Sequence, residues 1–239
     1  MNKVAFSLLI VFVLTSTKIL GQSITMGGIF PTIDHSGSIN QKVDYGLYYF
    51  AALPLFNFKN PSFSTDAYFN LLYLEQSLTY EKSEKLSFTG SYLYQRSNVT
   101  TSNFVNENRF YFQAKFKHSL FKSIFFHRLR FDGRFIQNRE TNSNPFTHRV
   151  RYLLGFEKNI TEKTYFSGYQ ELFFNSTKSI TPIYHENWAY FGCGKRLNEQ
   201  NKVELGVLYV TWNIGNQAWF NQYYLQFSWV NHINFLKEI

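Results

Sequence analysis

The chain has 239 residues, enough for one ordinary domain, and carries 24 Lys plus Arg against 16 Asp plus Glu, a formal net charge of +8. A single cysteine, Cys193, excludes an intramolecular disulfide and a cysteine-based metal cage. Aromatic residues make up 20% of the chain, and its basic residues alternate with Phe instead of running in blocks, which argues against nucleic acid as a partner.

The N-terminus reads Met1-Asn2-Lys3, then an apolar run over 4–14, then a stretch ending on Gly21. That is the layout of a secretory signal peptide, and the run falls short of the ~20 residues a spanning helix needs. Cleavage after Gly21 leaves 22–239 as one domain and lowers the formal charge to +6, because residues 1–21 hold Lys3 and Lys18 and no acid.

Next comes an extended-looking segment, 23–35. Beyond it, short turn signals recur at 35–41, 81–85, 120–123, 159–163 and 197–202, their centres about 40 residues apart. More variable polar connections lie between them at 57–65, 98–103, 138–145, 176–184 and 214–217. Alternating short and longer connections predict a hairpin used five times, the tight turns at one end of a barrel and the longer loops at the other.

Several strands carry a strict period of two. In 86–96, Leu86, Phe88, Gly90, Tyr92 and Tyr94 oppose Ser87, Thr89, Ser91 and Gln95. In 108–118, Arg109, Tyr111, Gln113, Lys115 and Lys117 oppose Phe110, Phe112, Ala114 and Phe116. The hairpin 125–156 sets Arg128, Arg130, Asp132 and Arg134, then Arg149 and Arg151, against Leu129, Phe131, Phe135, Val150, Tyr152 and Leu154. The last strand puts Tyr223, Leu225, Phe227 and Trp229 in one phase and Gln222, Gln226 and Ser228 in the other. By contrast 67–80, 185–196 and 203–212 hold apolar residues in both phases.

A membrane barrel with the greasy phase toward lipid and a soluble barrel with that phase inward predict the same alternation. Two features favour lipid. Several strands run to about 14–18 residues, against the ~5–6 usual in soluble sheets. The charged phase is dense in Arg, Tyr and Gln, unlike the Lys, Glu and Thr of soluble outer faces, and only a closed barrel leaves no backbone edge in lipid. The expected fold is therefore an all-β, antiparallel transmembrane barrel of about ten strands from 42 to 235, with twelve as the alternative. An eleventh strand at 23–35 would break the even-number tendency, so that segment closes the barrel irregularly, enters the interior, or splits to make twelve. Phe235 near the C-terminus suits recognition by the outer-membrane insertion machinery. Trp188, Trp212 and Trp219 fall near expected outer strand ends, where an aromatic girdle would sit.

With the greasy phase outward, the interior holds Arg109, Lys115, Lys117, Arg128, Arg130, Arg134, Arg149 and Arg151 against Asp132, Glu157 and Glu171. Folding the hairpin at 159–163 brings Arg151 roughly opposite Glu171 as a cross-strand ion pair. A packed charge network is the plainer expectation for a narrow interior; a basic constriction admitting small anions is the functional one. Neither cofactor nor metal is implied, and no G-x-S-x-G, H-E-x-x-H, phosphate-loop or dinucleotide fingerprint is present. A lipid-acting enzyme would need a Ser–His pair at the lipid-facing rim. Among His35, His118, His127, His148, His185 and His232, only His185-Glu186 falls at an expected outer end, and no catalytic residue is assigned.

The phrases His127-Arg128-Leu129-Arg130-Phe131, Arg134-Phe135-Ile136-Gln137-Asn138-Arg139 and Arg149-Val150-Arg151-Tyr152 resemble the bacterial "domain of unknown function 2490" family of outer-membrane proteins. So do Gly168-Tyr169-Gln170-Glu171-Leu172-Phe173-Phe174, Glu186-Asn187-Trp188 and Glu204-Leu205-Gly206. The resemblance implies an outer-membrane barrel in a Gram-negative bacterium and supplies no activity. The expectation is a structural barrel or narrow passive pore with a basic, ion-paired interior and membrane lipid as its partner. A phospholipase or deacylase type of enzyme is the alternative, and a soluble secreted barrel the third.

Overall fold

The computed structural model describes residues 23–59, 62–64, 69–177, 183–215 and 218–234. The expected signal peptide at 1–21 and the C-terminal Phe235 lie outside these residues. Among the described residues twelve strands follow one another: β1 (Ser23–Asn40), β2 (Val43–Lys59), β3 (Ser62–Ser64), β4 (Leu71–Ser83), β5 (Leu86–Ser97), β6 (Val105–Leu120), β7 (Ser123–Ile136), β8 (Phe146–Asn159), β9 (Thr164–Asn175), β10 (Tyr184–Arg196), β11 (Asn201–Gly215) and β12 (Ala218–Asn234). Each pairs with its chain neighbour, except that β3 is a three-residue strand on the end of β2 and β2 pairs onward with β4.

The ring closes because β1 pairs with both β2 and β12. Eleven strands form it, one more than the ten expected, and the short β3 does not make it the twelve of the alternative. An up-and-down chain with an odd number of strands must end on two strands that run the same way. The closure is accordingly parallel, from Ser23 beside Trp219 to Ser38 beside Asn234, so the fold is not antiparallel throughout. Residues 23–35 thus serve to close the ring irregularly. The adjacent β1–β2 pairing slips twice, between Gly27 and Gly28, where Pro54 has no N–H to give to a ladder, and again between Ser38 and Asn40 beside the turn.

Four of the five tight connections fall within the expected turn signals, at 84–85, 121–122, 160–163 and 197–200; the first, at 41–42, lies at the end of its signal, because β1 runs on through Asn40. Phe121 and Lys122 both have positive φ, 51° and 57°. This is the backbone of a two-residue hairpin turn whose twist suits the strands, built here without glycine.

The two phases separate cleanly. Phe112, Phe131 and Leu225 are 55%, 51% and 52% exposed on the outer wall, while Arg109 and Asp132 are each 2% exposed inside. The interior has two unlike halves. One is an aromatic and aliphatic cluster that includes Phe30, Phe50, Tyr73, Leu93, Tyr111, Tyr190, Leu208, Val210 and Tyr224, with Phe50 stacked on Tyr73 at 4.3 Å. The other, centred on β6–β9, is charged. The apolar half explains the strands with no clear phase, because β4, β10 and β11 turn Leu71, Tyr73, Tyr190, Leu208 and Val210 inward. Trp188 and Trp212 pack against the same cluster, so they are interior residues and not part of a lipid-level girdle. Trp219 is buried at the loop end, its ring 5.8 Å from that of Tyr184.

Tyrosine rings lie flat on the wall where it has no side chains. A Cβ on Gly194 would stand 2.2 Å from Cζ of Tyr165, and one on Gly206 would stand 2.6 Å from Cε2 of Tyr190. Glycine is required at both positions by this close approach. The two hydroxyls converge on Glu204, Tyr165 at 2.7 Å and Tyr190 at 3.3 Å, and Ser167 adds a third donor at 3.1 Å.

Candidate functional site: a charged barrel interior

Strand β7 is the spine of the charged half, because its even positions from Phe126 to Ile136 face inward. Its neighbours set like charges directly opposite: Arg130 beside Arg151, Arg109 beside Arg134, and Lys115 beside Arg128. Such pairs repel unless a counter-ion lies between them. Glu107 serves one pair: it accepts from Arg109 at 2.7 Å and takes a two-bond fork from Arg134 at 2.7 and 2.9 Å. Asp132 sits among three guanidiniums, Arg149 at 3.1 Å, Arg109 at 3.6 Å and Arg151 at 3.9 Å. Glu171 takes a fork from Arg151 at 2.8 and 2.9 Å and a third bond from Arg128 at 2.7 Å.

The register makes the Arg151–Glu171 contact diagonal. Leu153 lies directly opposite Glu171, and Arg151 opposite Phe173, whose ring carries the guanidinium at 4.3 Å. Arg130 stacks on Tyr111 at 3.7 Å, donates to Gln113 at 2.8 and 3.0 Å, and reaches Glu75 at 3.8 Å. Glu75 also accepts from the hydroxyls of Tyr73, at 2.6 Å, and Tyr111.

Glu186 closes the network on the aromatic side. It accepts from Trp188 at 2.5 Å, from Trp212 at 2.6 Å and from Arg149 at 3.3 Å. A bulge between Tyr184 and Glu186 re-aims this stretch, so His185 lines the interior together with Glu186. The pair that an enzyme would need at the lipid face is therefore on the inner wall. A Ser–His hydrogen bond does exist, Ser36 to Nδ1 of His232 at 2.9 Å, with Ser38 on the other ring nitrogen at 3.4 Å. It too lies on the inward phase, at the tight-turn end.

All eight basic residues assigned to the interior, Arg109, Lys115, Lys117, Arg128, Arg130, Arg134, Arg149 and Arg151, line one cavity of about 730 Å³. Of the three acids, Glu171 lines it and Asp132 is buried within its wall, whereas Glu157 lies apart and pairs with Arg196 and Lys202. The cavity also receives Asp34, Asp44, Glu75, Glu81, Glu107 and Glu186, which the alternation alone did not assign. With them the eight cations face seven lining carboxylates and the buried Asp132, so the expected basic excess is offset. Glu75 and Glu186 fall in strands whose two phases are both apolar, which hid them. Glu107 stood in plain alternation with Arg109 just before the strand as read, and that was the available signal.

An all-β ring with a charged interior and an apolar outer wall defines the class: a closed β-barrel of inverted polarity. The chain belongs to the family described as "Protein of unknown function (DUF2490)", whose model matches residues 38–222. That span covers β2 to β11 and the start of β12, leaving nearly all of β1 before it. No curated protein and no solved structure matches the chain.

Proposed function

We propose that this chain is an outer-membrane β-barrel of a Gram-negative bacterium, acting as a structural barrel or narrow passive pore with an ion-paired interior. The observation that carries this reading is the inverted polarity of the wall. Large apolar side chains stand half exposed around the ring, at Phe110, Phe112, Phe131, Phe191, Leu205, Val207, Leu225 and Phe227, while arginine and glutamate are buried inside. In water such a surface would cost far more than the few hundred Å² of exposed apolar patch a monomer tolerates. In lipid it is the favourable surface, and ring closure satisfies the backbone there.

The paired interior favours a weakly selective passage over an anion channel, because the guanidiniums already have carboxylate partners. Fractionation with a heat-modifiable gel shift is the test. Recovery with the outer membrane and faster migration without boiling are expected; a soluble, unshifted protein would sink the reading. Lipid hydrolysis lost on His185→Ala would instead promote the enzyme, although His185 faces inward.

A further inference from the structure

Charge pairing in the interior is uneven along the barrel axis. Every arginine that lines the cavity has a carboxylate partner within 4 Å, and Glu75, Glu107, Glu171 and Glu186 each have an arginine partner. Five other charged side chains line it, and among the described residues none of the five makes an ion pair or a side-chain hydrogen bond: Asp34, Asp44, Glu81, Lys115 and Lys117. All five are partly exposed and lie within seven residues of a tight turn, so they share the turn-end half. They are also sorted by wall. The ammonium groups are both on β6, whereas the carboxylates are on β1, β2 and β4.

This sorting has a physical cost that no ion pair among the five offsets. Lys115 stands directly opposite Arg128 and two residues from Lys117 on the same face, so three cations crowd one wall with only Glu171 bonded to them. Lys115 lies over the ring of Phe126 at 4.9 Å. Salt bridges between these groups would relieve the crowding, yet none of the five comes within ion-pair distance of another, and Glu81 is separated from Lys115 by Ser87 of the intervening β5.

We propose that this turn-end chamber binds a small dipolar solute, its carboxylate or other anionic group on Lys115 and Lys117 and its ammonium on Asp34, Asp44 and Glu81. A solute with both charges satisfies both walls at once, whereas a simple anion or cation leaves one wall uncompensated. The inference deepens the passive-pore reading by naming a solute class, but the binding itself needs only a folded barrel.

Full-length barrel in detergent micelles, its fold checked by the heat-modifiable shift, is titrated with glycine, 4-aminobutyrate and 6-aminohexanoate, and with butyrate and butylamine, by saturation-transfer NMR. At least one zwitterion should bind about tenfold tighter than both singly charged compounds, since a charged hydrogen bond is worth roughly that much. Lys115→Gln with Lys117→Gln should shift preference to butylamine, and Asp34→Asn with Asp44→Asn to butyrate. Lys82→Gln, exposed on β4, should change nothing. Butyrate binding as tightly as the best zwitterion, no saturable binding by a folded barrel, or indifference to both double variants would each overturn the proposal. Conductance in a bilayer without such binding would remove the chamber and leave the pore; binding by a barrel that fractionates as soluble would do the reverse.

Discussion

Arg151 and Glu171 form a two-bond fork across β8 and β9, Nε to Oε1 at 2.8 Å and Nη2 to Oε2 at 2.9 Å, with both side chains buried. The same carboxylate holds Arg128. Removing its charge leaves Arg128 without its carboxylate and Arg151 with only Asp132 at 3.9 Å, and breaking a buried ion pair costs about 3–5 kcal/mol. Glu171→Gln should therefore lower unfolding stability by about that amount, measured as the urea midpoint in micelles. A midpoint equal to the parent's would show that the fork contributes nothing.

Asp132 is shared by Arg149, Arg109 and Arg151, so it neutralises more of the interior than any single pair suggests. Asp132→Asn should turn a weakly selective passage toward anions, read as a shift of reversal potential across a salt gradient in planar bilayers. Neutralising Arg128, Arg130 or Arg151 should move the potential the other way. Complete absence of conductance in the parent would remove the pore and leave the structural barrel.

Phe112 and Phe131 sit near the middle of β6 and β7 on the outer wall, directly opposite one another in register. A cation at the bilayer midplane costs about 2–4 kcal/mol in a barrel wall. Phe112→Arg should cut assembly into the membrane fraction and destabilise folding in vesicles by that order. Unaltered assembly would argue that this face does not meet lipid.

The turn at Phe121 and Lys122 holds two side chains in the left-handed region. A non-glycine residue there costs roughly 1–2 kcal/mol. Lys122→Gly should raise stability by about 1 kcal/mol in the same urea titration, with no change in conductance. A loss of stability instead would mean that the lysine contributes more at this end of the barrel than its backbone costs.

Much of the architecture was legible because barrels are written at short range. A strand's faces alternate residue by residue, so Arg128, Arg130, Asp132 and Arg134 declared a shared face without any tertiary information. Turns are local as well, and the tight connections at 84–85, 121–122 and 197–200 fall inside their signals. Glu171 could be paired with Arg151 because one tight turn sets the β8–β9 register. Contacts across the ring had no such signal. Glu75 reaches Arg130 over the intervening β5 and β6, and Glu186 gathers Arg149 from β8 and Trp212 from β11.

By itself, then, the sequence determined the period, the two phases, the turn positions and the family likeness, all consequences of neighbours along the chain. The tertiary structure decided the parity of the ring and what filled it. Whether β1 could reach both β2 and β12 depended on closure of the whole sheet, and an odd count then compelled a parallel seam. Closure also decided which apolar phase went inside: Trp188 and Trp212, expected at a lipid-level girdle, donate to Glu186 instead, because the interior of a small ring is filled by side chains.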